Sequence, residues 1–380
     1  MHRPTAAVLL AAFALVLVGA QSAAAAHRHH GHHHHGHGRN LVFVQTNQPS
    51  GNAVVVFDRG HDGRLSRAGT YATGGRGGTA SPGTESDRLA SQGSLAYDAR
   101  ERAVIAVNAG SNTVTAFRVH GDRLRLVDVA PSGGQFPASV TIHDGLVYVL
   151  NSGGAGTVAG FRLFHGALIP IPGSARSLGL ANGNPPDFLT APGQVGFSPD
   201  GRQLLVTTKA STSSIDVFSV RPDGRLSASP VVNPGATPVP FAFTFSPFGK
   251  LVAGEAGASS VTTYTLRPNG TLTGAQSATD GQTALCWIQR VGPYYFVSNT
   301  GSNTLSSFRL GSSGQPVLLN AVAAATGAGP IDLAASDRFL YAETGIAGTV
   351  EEYAVRHDGS LLAIGTVTGL PSGIEGIAAT

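Results

Sequence analysis

The sequence predicts an all-β fold: a single seven-bladed β-propeller of four-stranded blades, its ring closed by a C-terminal strand that completes blade one. Three observations predict it. A strand, polar loop, strand phrase recurs about every 44 residues, and a fixed period of this size built only from strands marks a propeller. Asp-Gly and Pro-Asp-Gly hairpin signals fall at matching places in the copies. One strand-like segment, Ser372–Thr380, is left over at the C-terminus while the first copy lacks its inner strand.

The recurring phrase reads "TNQPSGNAVVVFD" from Thr46, "VNAGSNTVTAFRV" from Val107 and "LNSGGAGTVAGFRL" from Leu150. It continues as "TKASTSSIDVFSV" from Thr208, "GEAGASSVTTYTL" from Gly254, "SNTGSNTLSSFRL" from Ser298 and "AETGIAGTVEEYAV" from Ala342. One full repeat shows the order of strands. In Gln194–Val232, "QVGF" is the inner strand, "QLLVTT" the second, "SIDVFSV" the third and "RLSASPVV" the outer one. Blades are expected at about 92–134, 136–178, 191–236, 239–282, 284–329 and 330–372, with the three outer strands of blade one at about 41–75. "SGIEGIAAT" is expected beside Leu41–Thr46, which removes two open sheet edges. Several strands are apolar on both faces, as sheets sandwiched between sheets require.

Two inserts break the period, at Gly74–Ser94 and Gly173–Gly193. Both join an outer strand to the next inner strand, on the face that also carries the loops between second and third strands. Long loops gathered on one face of a rigid scaffold are where binding is expected.

Composition agrees with one large repeat domain. Charged residues make up 12 % of the 380 residues and glycines number 51, a profile of short strands and many tight turns. The 42 % hydrophobic content excludes a disordered chain. Residues 1–26 read as a cleaved secretory signal: a weakly positive start, an apolar run over Ala6–Gly19 and small residues in "AQSAAAA". The run is short for a membrane span, and no later segment approaches one. The expected destination is therefore the cell envelope or the medium. Without residues 1–26 the chain keeps 24 of its Lys and Arg against 22 acids, about +2, with no basic stripe to bind nucleic acid. Cys286 is the only cysteine, so no internal disulfide forms and stability must come from packing and ring closure. A monomer is expected, with a small-molecule ligand or an extracellular protein as partner.

Residues 27–39, "HRHHGHHHHGHGR", are expected to form a disordered tail ahead of a propeller over 40–380. His29, His30, His32, His33, His34, His35 and His37 are a candidate ligand set for Zn, Cu or Ni, because borderline transition metals favour imidazole. The opposing reading is a solvated tail with incidental metal affinity. No cofactor is otherwise required.

The candidate site comes from the aligned end of the second strand. This position holds Asn47, Asn108, Asn151, Lys209, Glu255, Asn299 and Glu343, and sevenfold stacking would set them around the mouth of the central channel. Asn at the turn has a structural reading, since its amide bonds its own backbone. The charged exceptions point to chemistry. Glu255 as a general base and Lys209 as an oxyanion partner form the candidate catalytic pair, with Asn47, Asn108, Asn151, Asn299 and Glu343 as candidate ligand contacts. A Lys–Glu ion pair across the mouth is the bland alternative. Gln92, Gln135 and Gln194 precede inner strands and are further channel candidates. Glu85, Asp87 and Asp187 in the inserts read as solvated charge, with help in binding a metal as the alternative, and Cys286 as a small buried hydrophobe. No nucleophile elbow, phosphate loop or zinc motif is present.

The phrases "SQGSLAYDARERAVIAVNAGSNTVTAFRV", "GQVGFSPDGRQLLVTTKASTSSIDVFSV", "FAFTFSPFGKLVAGEAGASSVTTYTL" and "FVSNTGSNTLSSFRL" resemble the seven-bladed lactonase-like propellers. That group includes the propeller type of 6-phosphogluconolactonase and the carboxymuconate cyclases. The resemblance covers nearly all of 40–380 and implies hydrolysis of a small sugar lactone or related cyclic ester by Arg, His and Glu at the channel mouth. Glu255 in "AGEAG" matches the Glu of the family's Asn-Glu pair. The stretches matching its Pro-Arg-His motif read "APGQVGF" and "PVPFAFTF", with neither Arg nor His. Three readings follow: a lactonase-like hydrolase, a non-catalytic extracellular binding propeller, and a metal-handling protein using the His tract.

Overall fold

The computed structural model describes residues 40–82 and 85–380. They form seven antiparallel sheets, six running in chain order from inner to outer strand and one closed by the C-terminus. Blade one holds Leu41–Gln45, Ala53–Arg59 and Leu65–Ala72, with Ile377–Ala379 as its inner strand. Val42, Phe43 and Val44 face Ala379, Ala378 and Ile377 in register, and Thr380 Oγ1 accepts the Leu41 amide N–H at 2.8 Å. The inner strands of all seven blades touch in a closed circle, from Leu95–Asp98 of blade two round to Ile377–Ala379.

Alternation within each strand explains why both faces are apolar. In blade one, Leu41 and Phe43 pack into blade two, while Val42 and Val44 pack into blade seven. In blade two, Val104 and Ala106 return to blade one, while Ala103, Ile105 and Val107 go to blade three. The seven buried clusters thus occupy the seven blade-to-blade interfaces, and period-2 side chains serve two interfaces at once.

The hairpin signals sit where the turns are. Gly63, Gly224, Gly270 and Gly359 end the turns between third and outer strands with φ of +82° to +89°, the region open to glycine. The preceding Asp or Asn caps each turn: Asp62, Asp223, Asn269 and Asp358 accept the N–H of Arg64, Arg225, Thr271 and Ser360. Blade three departs from the pattern. Its outer strand is split into Ala167–Pro170 and Arg176–Ser177, both paired to Thr157–Phe164, because Pro170 and Pro172 cannot carry the ladder through.

Both inserts lie on the face of the loops between second and third strands, called the upper face below. They are laced together: Ser81 N–H donates to Pro186 O, Phe188 N–H to Ser81 O and Gln92 N–H to Gly193 O. The first insert crosses the ring. The Gln92 side chain bonds both the N–H and the C=O of Ile288, on the inner strand of blade six, at 3.0 and 3.2 Å. Ser91 Oγ reaches Ala138 O of blade three. On the far side the insert presses on blade seven so closely that a Cβ on Gly345 would lie 2.0 Å from Ser86 O. Among the described residues, no helix is long and apolar enough to cross a membrane.

Candidate functional site

A cavity of about 490 Å³ opens on the upper face beside the crossing insert, over blades four to six. Its apolar wall includes Phe188, Leu189, Val239, Phe241 and Trp287, and its ionisable lining is Asp87, Lys209 and Cys286. Lys209 is 2 % exposed and follows the second strand of blade four in a left-handed turn, φ +46°. That backbone state costs an ordinary residue about 1–2 kcal/mol, and such strain is held where the surroundings fix it. The Lys209 Nζ donates to Ala90 O and to Phe188 O, each at 2.7 Å, so one ammonium ties both inserts to blade four. It also lies 5.1 and 5.0 Å from the ring centres of Phe188 and Phe241. Burial lowers its pKa to about 8, opposed by the nearby Asp87 carboxyl.

Asp87 is the residue the sequence misplaced. It reads as solvated charge in a loop, yet it is 1 % exposed. Its carboxyl faces that of Glu375, which belongs to the segment leading into the closing strand. Glu375 Oε2 accepts the Leu89 N–H at 2.7 Å. Two carboxyls buried side by side resist ionising together. Burial raises Asp87, and burial with the Asp87 charge raises Glu375 well above the ordinary range.

Asp332 and Glu343 of blade seven extend this acidic group toward the channel. Asp332 accepts the N–H of Gly93 and of Leu333, and burial pushes it up to about 7. Glu343 accepts the Gly376 N–H at 2.9 Å and is likewise raised well above its usual value by burial, then by Asp332. Sequence reasoning missed Asp332 and Glu375 as site residues. The available signal was a lone acid inside an otherwise apolar inner-strand stretch, "PIDLAAS" and "GIEGIAA".

The seven aligned positions do not act as one ring. Asn108, Asn151 and Glu255 turn sideways and fasten the chain leaving the preceding blade. Asn108 accepts from Asn52 and Thr73, and Asn151 donates to Ser132 O. Glu255 is fully buried and takes the N–H of Ala236 and Thr237, the hydroxyls of Thr237 and Thr262, and the O–H of Tyr264. Asn299 reaches the preceding blade at one remove, donating to Ser306 Oγ, which donates to Asp280. Asn47 holds the first insert, exchanging two hydrogen bonds with Gly78. Only Lys209 and Glu343 join the central ionisable group. Lys209 and Glu255 form no ion pair: the first belongs to the cavity with Asp87, while the second spends its oxygens on local donors. Gln92 and Gln194 bridge inner strands through paired amide bonds to Ile288 and Phe243, whereas Gln135 is exposed. Asp187 caps Leu189 and Thr190 within the second insert.

Cys286 lies in the cavity wall with its thiol pushed far up by burial, which makes it a poor nucleophile. Among the described residues no three His, Cys, Asp or Glu side chains are grouped to hold a metal ion. The seven candidate metal-ligand histidines, His29 to His37, and the expected signal segment 1–26 lie outside the described residues.

No protein-family profile matches the chain, and no curated protein does. Solved structures do. A "putative 6-phosphogluconolactonase" from Bacteroides uniformis superposes with a TM-score of 0.73 at 18 % identity, over 90 % of this chain and 100 % of that one. The likeness is one of fold. The periplasmic gluconolactonase of Pseudomonas aeruginosa gives 0.68 at 20 % identity, over 89 % and 98 %. A Bacteroides fragilis protein described in the same words as the first gives 0.69 at 17 % identity, over 91 % and 99 %. The chain thus shares the propeller architecture of these proteins over nearly its whole described length.

Proposed function

We propose that this protein is a lactonase-like hydrolase of small cyclic esters, and that its chemistry resides at Asp87, Glu375 and Lys209 rather than at Glu255. One observation carries the reading: Asp87 and Lys209 both line an aromatic-walled cavity, with the buried Glu375 carboxyl beside Asp87. A buried carboxyl whose pKa is raised above the ordinary range is suited to proton transfer. Asp87 takes a proton from water as the oxygen adds to the lactone carbonyl. The buried ammonium of Lys209 favours the oxyanion that forms. The ring C–O bond then breaks, and the proton returns to the leaving alkoxide to give a hydroxy acid. The fold of lactonase-like propellers is consistent with this reaction, although among the described residues no Arg or His lines this site.

A second reading has its own support. Lys209 already donates to two carbonyls, which suits a lid fastener in a binding protein as well as a catalytic cation. Proton release on a lactone panel, followed in a pH-stat with wild type and Asp87→Asn, separates the two. Turnover lost in the variant supports the hydrolase. No turnover by wild type on any lactone leaves a binding propeller.

Export through the signal segment, and capture of Zn, Cu or Ni by His29, His30, His32, His33, His34, His35 and His37, belong to the same proposal. Deletion of 27–38 should abolish tight Zn or Cu binding; unchanged affinity would exclude that role.

A further inference from the structure

We infer that the upper-face cavity selects a neutral lactone with an apolar body, an alkyl-substituted ring, over polyhydroxylated or phosphorylated sugar lactones. The inference rests on the reading of this cavity as the substrate site, and it concerns what the cavity admits.

The walls set the first constraint. Phe241 and Trp287 lie with ring centres 4.8 Å apart at 59°, and Phe188 and Val239 continue the same surface. Leu189 stands at the rim of the second insert with 61 % of its surface in water, an apolar edge for a ligand to cover.

The second constraint is that the polar groups in reach are already engaged. The Trp287 indole N–H donates to Ser91 O at 2.9 Å. The Lys209 ammonium holds Ala90 O and Phe188 O. Thr300 Oγ1 donates to Pro330 O. A sugar lactone brings several hydroxyls, each of which must exchange water for a partner, and the wall offers few. A buried hydroxyl left without one costs roughly 1–3 kcal/mol. A phosphate fares worse, because among the described residues no arginine lines the cavity and the buried acids Asp87 and Glu375 stand beside its lysine. A lactone ring asks for less: one carbonyl directed at the Lys209–Asp87 end, with the alkyl chain along the aromatic wall.

Trp287 is the only tryptophan of the chain, so its fluorescence reports on this cavity alone. The experiment titrates the full chain with γ-butyrolactone, γ-hexalactone, γ-decalactone, glucono-δ-lactone and 6-phosphoglucono-δ-lactone. The expected result is saturable change with the alkyl lactones, tightening roughly threefold per added methylene until the cavity is filled, and at least tenfold weaker binding of both sugar lactones. Leu189→Asp, at an exposed position, should weaken γ-decalactone roughly fivefold. Sugar lactones binding as tightly as γ-decalactone, affinity independent of chain length, or no change with any compound would overturn the inference. Binding and turnover separate the two claims. γ-Decalactone bound but never hydrolysed removes the hydrolase reading and keeps the ligand class. Glucono-δ-lactone hydrolysed and bound more tightly than γ-decalactone keeps hydrolysis and removes the class.

Discussion

The ammonium of Lys209 donates to the carbonyl oxygen of Ala90 at 2.7 Å, joining blade four to a loop 119 residues earlier that crosses the mouth of the channel. The same nitrogen holds Phe188 O of the second insert. Through one side chain the two irregular segments become a single roof over the cavity, anchored to a regular blade. Replacing Lys209 by Met would leave two carbonyls without their donor and Asp87 without its nearby cation. We expect a loss of about 3–5 kcal/mol in urea unfolding, with early proteolytic cutting inside 74–94 and 173–193. Unchanged stability and unchanged cutting would show that the inserts are held by their backbone bonds alone.

Stability should fall as pH rises from about 4 to 7. Asp332, pushed up to about 7 by burial, stays protonated in the folded chain over a range where the unfolded chain has ionised it, and Asp87, Glu343 and Glu375 are raised in the same direction. The folded state binds more protons, so each step upward in pH favours unfolding. Lys209 adds the opposite slope at higher pH. Its pKa of about 8 lies below that of an exposed lysine, so between 8 and roughly 10.5 the unfolded chain binds the extra proton and stability rises. Thermal unfolding at pH 4, 5, 6 and 7 should show a decline that Asp332→Asn reduces. An equal decline in the variant would mean that Asp332 ionises normally in the fold.

Glu255 is a fastener between blades. Its carboxylate accepts from five groups, among them the Tyr264 hydroxyl, and an amide in its place would turn one end into a donor facing donors. Glu255→Gln should cost about 1–3 kcal/mol. A variant with the wild-type midpoint in urea would remove this structural role.

The ring is closed by a strand of three residues, Ile377–Ala379, paired to Val42–Val44. Truncation after Gly373 should expose an edge of blade one together with the inner flank of blade seven. Soluble aggregates should then appear in size-exclusion chromatography. A monodisperse, folded truncation would show that the other three strands of blade one close the circle unaided.

The blades were legible in the sequence because local rules repeat. Period-2 apolar residues such as Leu41–Val44 serve two interfaces, and turns such as Pro222–Asp223–Gly224 carry their own chemistry. The spare "SGIEGIAAT" and the missing inner strand of blade one identified each other, and they pair as expected. The site was only half legible. Lys209 stood out as a charge among asparagines and does line the cavity. Asp87 did not stand out, because nothing periodic in residues 74–94 says that the loop crosses the ring and buries its acid against Glu375. Glu255 shows the converse: a charge at a repeated position can serve the repeat itself, here by taking the N–H groups of Ala236 and Thr237.

The most direct measurement compares lactone turnover by Asp87→Asn and Glu255→Gln with wild type, each rate normalised to folded protein. Asp87→Asn should lose at least about a hundredfold in kcat, the scale of a general base removed, and Glu255→Gln should stay within about threefold of wild type. Loss confined to Glu255→Gln, with Asp87→Asn fully active, would contradict the assignment to Asp87 and return the chemistry to the second strand of blade five.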